Sequence, residues 1–155
     1  MDARLNYGKA APGAFQAMLR LEEYVQNCGL ELSLIRLIQT RASQINGCAY
    51  CLDMHTKDAR AEGESEQRLY LLAGWREAPF YSERERAALE WTEALTLFAD
   101  DHVPDEVYER VRPHFTDEEL VNLTLAVITI NSWNRLNVAF RTPAGTYHRR
   151  QTATH

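Results

Sequence analysis

The chain has 155 residues, a formal net charge of −5 and 45% hydrophobic residues, enough for one domain with a buried core. The acidic balance argues against nucleic-acid binding, which draws its affinity from Lys and Arg neutralising phosphates, and it gives acidic substrates no steering. No basic-then-apolar leader opens the chain and no apolar run approaches the ~18 residues of a membrane span, so a cytoplasmic location without a membrane partner is expected.

Apolar residues recur at helical spacing and no strand-like alternation is found, so the expected fold is all-α, about six to seven helices in one domain over 1–155. Pro12 suits the first turn of a helix carrying Phe15, Met18, Leu19 and Val25 that stops at Gly29,. A second helix begins near Glu31. Its stripe of Ile35, Ile38, Ala42 and Ile45 is widened by Leu34 and Leu37, and Asn46-Gly47 ends it,. A third runs from about Cys48 to Gly63, and a shorter fourth, Glu64 to Gly74, centres on Leu69, Leu71 and Leu72. Ser82 with Glu85 forms a capping box ahead of a stripe of Ala87, Ala88, Trp91, Ala94, Leu95 and Phe98,. Pro104 opens a short helix to about Arg112. A second capping box, Thr116 with Glu119, opens a long helix to about Phe140, expected to be central because Leu120 to Ile130 is apolar on nearly all sides,. From Thr142 the tail is polar and is expected on the surface or on a neighbouring subunit.

Chemistry concentrates in "CAYCLDMH", residues 48 to 55. In a reducing compartment, paired cysteines are catalytic, redox-sensing or metal-binding rather than structural. Positions three and four apart share a helix face, so Cys48, Cys51 and His55 are expected along one edge. The partial positive charge and free N–H groups of a helix start favour thiolate over thiol, and most directly for Cys48. His55 can accept a thiol proton or, as imidazolium, hold the thiolate. Three readings compete: a redox dithiol, a zinc clamp and a buried core pair. Zinc needs a fourth ligand, and Asp53 and Asp58 lie off this edge while Cys28 is a helix away, so no metal or cofactor is expected. Cys28 reads as a small core residue, and the histidines at 102, 114, 148 and 155 read as solvated. Trp75, Trp91 and Trp133 read as core or interface. Asn131, Asn134 and Asn137 form a polar edge on the last helix, either a hydrogen-bonded network or the floor of a pocket, with the structural role favoured.

"RASQINGCAYCLDMHTKDAR", with "NYGKAAPGAFQAMLRLEEYV" near the start and "INSWNRLNVAFRTPAG" near the end, resembles the small, single-domain branch of the alkylhydroperoxidase D-like (AhpD-like) proteins of the carboxymuconolactone decarboxylase superfamily. The resemblance implies an AhpD-like helical bundle with the CxxC at the start of a central helix, assembled into a trimer or hexamer. It also implies a thiol-dependent peroxidase acting on hydrogen peroxide or a small organic hydroperoxide. There Cys51 attacks the peroxide, Cys48 resolves the sulfenic acid to a disulfide, His55 relays protons, and an external dithiol or disulfide reductase restores the thiols. Two positions depart from the family pattern. Arg36 stands where a relay glutamate is found twelve residues before the first motif cysteine, and Tyr50 stands where some members carry a histidine. Arg36 either faces the site, where it can hold an anion but not act as a base, or points outward, paired with Glu31. That departure keeps a second function in view: a redox-sensing or disulfide-exchange adaptor with little peroxidase activity. Decarboxylation is weaker, because the CxxC speaks against it.

Overall fold

The computed structural model describes residues 2–98 and 102–149, which form eight α-helices and no strand. In chain order the helices are α1 (Tyr7–Ala10), α2 (Pro12–Gln26), α3 (Leu32–Ile45), α4 (Ala49–Ala61), α5 (Glu66–Tyr70), α6 (Glu83–Thr96), α7 (Asp105–Val111) and α8 (Asp117–Phe140). Short 3-10 turns follow α5 at Leu72–Gly74 and α7 at Arg112–His114. Pro12 sits in the first turn of α2, and both expected capping boxes close: Ser82 with Glu85 at α6, Thr116 with Glu119 at α8,.

Helix α3 is the one around which the others gather, packing on α4, α6 and α8. Its Ile35, Leu37, Ile38 and Ala42 are wholly buried, worth roughly 1.5–3 kcal/mol for each of the larger side chains. The long last helix packs on α2, α3, α4 and α6, in keeping with its apolar surround. It buries Leu123, Ala126, Val127 and Ile130 but leaves Val121 and Ile128, seven residues apart on one face, 67% and 50% exposed. Two expectations change at helix ends. Phe98 lies beyond the end of α6 and is 53% exposed, and Leu71, at the break between α5 and its 3-10 turn, is also exposed. Helix α1 was not expected; its four residues are too few to show periodicity, and the Asn6 side chain caps it by accepting from Lys9 N–H at 2.9 Å,.

Trp75 and Trp91 belong to the core as expected, and Cys28 packs half-buried against it. His102 and His148 are exposed and His114 is half-buried, while His155 lies outside the described residues. The described part of the tail, residues 142–149, folds back along α4 of its own chain. Gly145 N–H donates to Asp53 Oδ2 at 3.1 Å, Tyr147 Oη–H to Asp58 Oδ1 at 2.8 Å, and Lys57 Nζ to the Tyr147 carbonyl at 3.0 Å.

Candidate active site

The turn that opens α4 is held before the first cysteine is reached. Gly47 takes φ +64°, a left-handed conformation that costs glycine nothing,. The Asn46 amide donates to Asn131 Oδ1 at 3.0 Å and to Asn134 Oδ1 at 2.9 Å, and Asn134 Nδ2 donates to Ser43 Oγ at 3.0 Å. Cys48 N–H in turn donates to the Ser43 carbonyl at 3.0 Å. Asn131 and Asn134, two of the three asparagines on the polar edge of α8, thus form the structural network the sequence favours, and what they fix is the entry to the CxxC.

Cys48 is not on a helical face with Cys51. It is the N-cap of α4, with extended φ −83° and ψ 93°, and its sulfur accepts the Cys51 N–H at 3.3 Å. The two cysteines are joined as a disulfide with Cα atoms 5.3 Å apart. Both cysteines are buried, at 1% and 0% exposure.

The third asparagine has a different role. Asn137 Nδ2 donates to Cys51 Sγ at 3.5 Å and to the Trp133 carbonyl at 3.0 Å, while its Oδ1 accepts the Tyr7 hydroxyl at 3.0 Å. These bonds fix which end of the amide faces the sulfur. Burial pushes the Tyr7 phenol up, so its hydroxyl stays protonated and keeps donating,. Sequence reasoning placed Asn137 with its neighbours; the only signal for it was the N-x-x-N-x-x-N run on an apolar helix.

His55 lies on the buried face of α4 one turn beyond Cys51, only 3% exposed, and neither ring nitrogen has a hydrogen-bond partner among the described residues. An unpaired buried polar group costs roughly 1–3 kcal/mol. Burial first, and the Arg36 guanidinium second, push the imidazole down to about 3,. A neutral folded imidazole against an unfolded histidine near ~6.5 sets the sign of the pH dependence. Between those values the unfolded chain binds the extra proton, so stability is intact above ~6.5 and falls as pH drops, by up to ~1.4 kcal/mol per pH unit. Thermal melts of the disulfide form across this window should show that slope, and His55→Leu should flatten it; an unchanged slope would assign the acid sensitivity to another group.

Beside this centre lies a cavity of about 400 Å³. Its apolar wall is Phe15, Leu19, Met54 and Trp133; Tyr50, His55 and Asn137 also line it, and Asn137 links it to Cys51 Sγ. Polar groups from three helices complete it: Glu22 and Gln26 of α2, Arg36 of α3 and Asp58 of α4. A larger groove of about 700 Å³, between α1, α2 and α8, is lined by neither cysteine nor His55. Arg36 runs along the cavity wall, but its fork is taken. Nε and Nη2 reach the two Glu62 oxygens at 3.0 Å each, and Nη1 reaches Gln39 Oε1 at 3.0 Å. The expected partner Glu31 pairs with Arg84 instead, at 3.0 Å. Among the described residues, no three His, Cys, Asp or Glu side chains gather as metal ligands.

Fold and site define the class: an AhpD-like helical domain with a CxxC disulfide at a helix start. Residues 12–94 match the carboxymuconolactone decarboxylase family, and the chain belongs to that family. The chain is 47% identical over 139 residues to the uncharacterized protein YdfG of Bacillus subtilis (strain 168), covering 90% of this chain and 95% of that one. It is 50% identical, with a TM-score of 0.91 over 94% of this chain and all of the other, to ATU0492 of Agrobacterium tumefaciens, a protein of unknown function suggested to be the antioxidant defence protein AhpD. The debrominase Bmp8 shares the fold at 19% identity, with a TM-score of 0.80 over 89% of this chain and 74% of its own.

Proposed function

We propose that the protein is a thiol-dependent hydroperoxidase in which Cys51 is the nucleophile, Cys48 the resolving thiol and His55 the proton carrier. What supports this most is the convergence on one sulfur: Cys51 Sγ meets the oriented Asn137 amide, with a buried, unpartnered imidazole one turn on and a cavity beside them. In the reduced protein the Cys51 thiolate attacks one peroxide oxygen, the O–O bond breaks, and the leaving alkoxide or hydroxide takes the proton held by His55. The sulfenic acid then condenses with the Cys48 thiol, forming the disulfide and releasing water. An external dithiol returns two electrons and two protons. The helix-end preference for a Cys48 thiolate fits the same sequence, because its sulfur already accepts the Cys51 N–H,.

The Phe15, Leu19, Met54 and Trp133 wall suits a small organic hydroperoxide as well as hydrogen peroxide,. The suggestion attached to ATU0492 points the same way. Stopped-flow mixing of the reduced protein with tert-butyl hydroperoxide tests the reading: a fast phase, first order in peroxide, is expected, and its absence would remove the peroxidase. The adaptor reading is carried only by the Arg36 departure, and Arg36 is engaged by Glu62 and Gln39.

A trimer or hexamer belongs to the same reading, with the exposed Val121 and Ile128 face of α8 as a surface for subunit contact,. Light scattering should give a mass of three or six chains; a single-chain mass would contradict it.

A further inference from the structure

Glu22 is placed and bonded in a way its surroundings do not explain. It projects from α2 into the cavity that His55 lines, half-buried, and three neutral N–H donors from three helices converge on it. Gln26 Nε2 reaches Oε1 at 2.7 Å, Gln39 Nε2 reaches Oε1 at 3.0 Å, and Trp133 Nε1 reaches Oε2 at 3.1 Å. The three N–H groups fix the orientation of the carboxylate, and among the described residues no cation contacts it,. Gln39 also accepts from Arg36, so its amide stands between guanidinium and carboxylate and keeps the two from closing an ion pair. Trp133, which holds Oε2, lies one turn before Asn137 and supplies the carbonyl that helps to orient it.

The other titratable groups at the cavity are Tyr7, Tyr50, Arg36 and Asp58. Arg36 is bound on two nitrogens by Glu62, and Asp58 accepts the Tyr147 hydroxyl. Of the two carboxylates lining this cavity, Glu22 is the one on which three N–H donors converge, whereas Asp58 accepts the Tyr147 hydroxyl. A buried imidazole near a guanidinium is a poor acceptor for a thiol proton unless an anion besides the thiolate faces it.

We propose that Glu22 is the charge partner of His55 in the reduced protein: the Cys51 thiol proton passes to the imidazole, and the Glu22 carboxylate holds the resulting imidazolium across the cavity, directly or through one water. The thiol S–H bond breaks, an N–H bond forms on His55, and Glu22 keeps its charge throughout; no electron moves. Glu22 is thus a positioning residue, acting on sulfur through His55. The proposal rests on the hydroperoxidase reading only in taking Cys51 as the reactive thiol.

Its test therefore reads thiol ionisation and peroxide reaction separately. In a Cys28→Ser, Cys48→Ser background, the ultraviolet absorbance of the Cys51 thiolate is followed against pH. Glu22→Gln, which keeps an acceptor oxygen but removes the charge, should raise the midpoint by about one pH unit, leaving roughly tenfold less thiolate at neutral pH. Glu22→Asp, which withdraws the charge by one methylene, should shift it less in the same direction and is read instead where Glu22→Gln does not fold. An unchanged midpoint overturns the proposal, as does Asp58→Asn producing the full shift in its place. With both cysteines present, the tert-butyl hydroperoxide phase should slow about tenfold in Glu22→Gln. A shifted midpoint with no peroxide reaction in the unmodified protein would keep Glu22 in this role and remove the hydroperoxidase reading.

Discussion

Cys51→Ser should abolish the fast reaction of the reduced protein with an organic hydroperoxide, whereas Cys48→Ser should retain it and stop at the sulfenic acid. The two sulfurs have different surroundings. Cys48 caps the start of α4 and accepts, among the described residues, from the Cys51 backbone N–H alone, while Cys51 faces the oriented Asn137 amide and precedes His55 by one turn. Attack on peroxide needs a thiolate held in place and a proton delivered to the leaving oxygen, and only Cys51 has a side-chain donor and the imidazole together. A serine hydroxyl is almost un-ionised at neutral pH, so the loss in Cys51→Ser should be on the order of 10³-fold or more. In Cys48→Ser no thiol remains within reach to condense with the sulfenic acid, which a cyclic diketone should trap on Cys51 for detection by mass spectrometry. Trapping on Cys48 in the Cys51→Ser protein, with the fast phase kept, would reverse the two roles.

The second large effect is expected at Asn137. Asn137→Leu keeps the volume but removes the donor to Cys51 Sγ and the acceptor for the Tyr7 hydroxyl. Loss of one preorganised donor to a developing or resting anion slows comparable reactions by ~10²–10³-fold. The contact to sulfur is long at 3.5 Å, so the lower end, about 10²-fold, is the expected loss. Stability should fall as well, by roughly 1–3 kcal/mol, because the Tyr7 hydroxyl is left half-buried without its partner. Tyr7→Phe separates the two effects. It removes only the bond that orients the amide, so it should slow the reaction several-fold while changing stability less. If Asn137→Leu lowers the melting temperature but leaves the peroxide rate within a factor of two, the amide is a structural bond and the thiolate does not need it.

Local patterns carried the fold well where a helix was long and one-sided. The α3 stripe of Ile35, Ile38 and Ala42 is buried as its spacing predicts, and both capping boxes form because each needs only a residue and its third neighbour,. Helix ends were less legible. Phe98 and Leu71 continue an apolar pattern after the helix that would bury them has stopped, and hydrophobicity alone does not mark the stop. The apolar surround of α8 fits its packing on four helices, but Val121 and Ile128 face outward, since an apolar residue reports that burial is favourable and not that a neighbour is present.

The site divides in the same way. Cys48, Cys51 and His55 are legible because they lie within eight consecutive residues. Their conformation is not, and Cys48 turns out to be a cap rather than a face residue. Asn137 and Glu22 reach the centre from helices 86 and 29 residues away from Cys51, a distance over which spacing carries no information. Arg36 was correctly singled out, but its partner Glu62 at the end of α4 was not visible, because the pairing depends on how α3 and α4 pack.

The most direct test of the account is a thiol count. One equivalent of tert-butyl hydroperoxide added to the fully reduced protein should consume two thiols, leave the Cys28 thiol free, release one equivalent of tert-butanol, and give the Cys48–Cys51 disulfide by peptide mapping. Retention of both motif thiols, or their loss without alcohol release, would contradict a hydroperoxidase centred on Cys51.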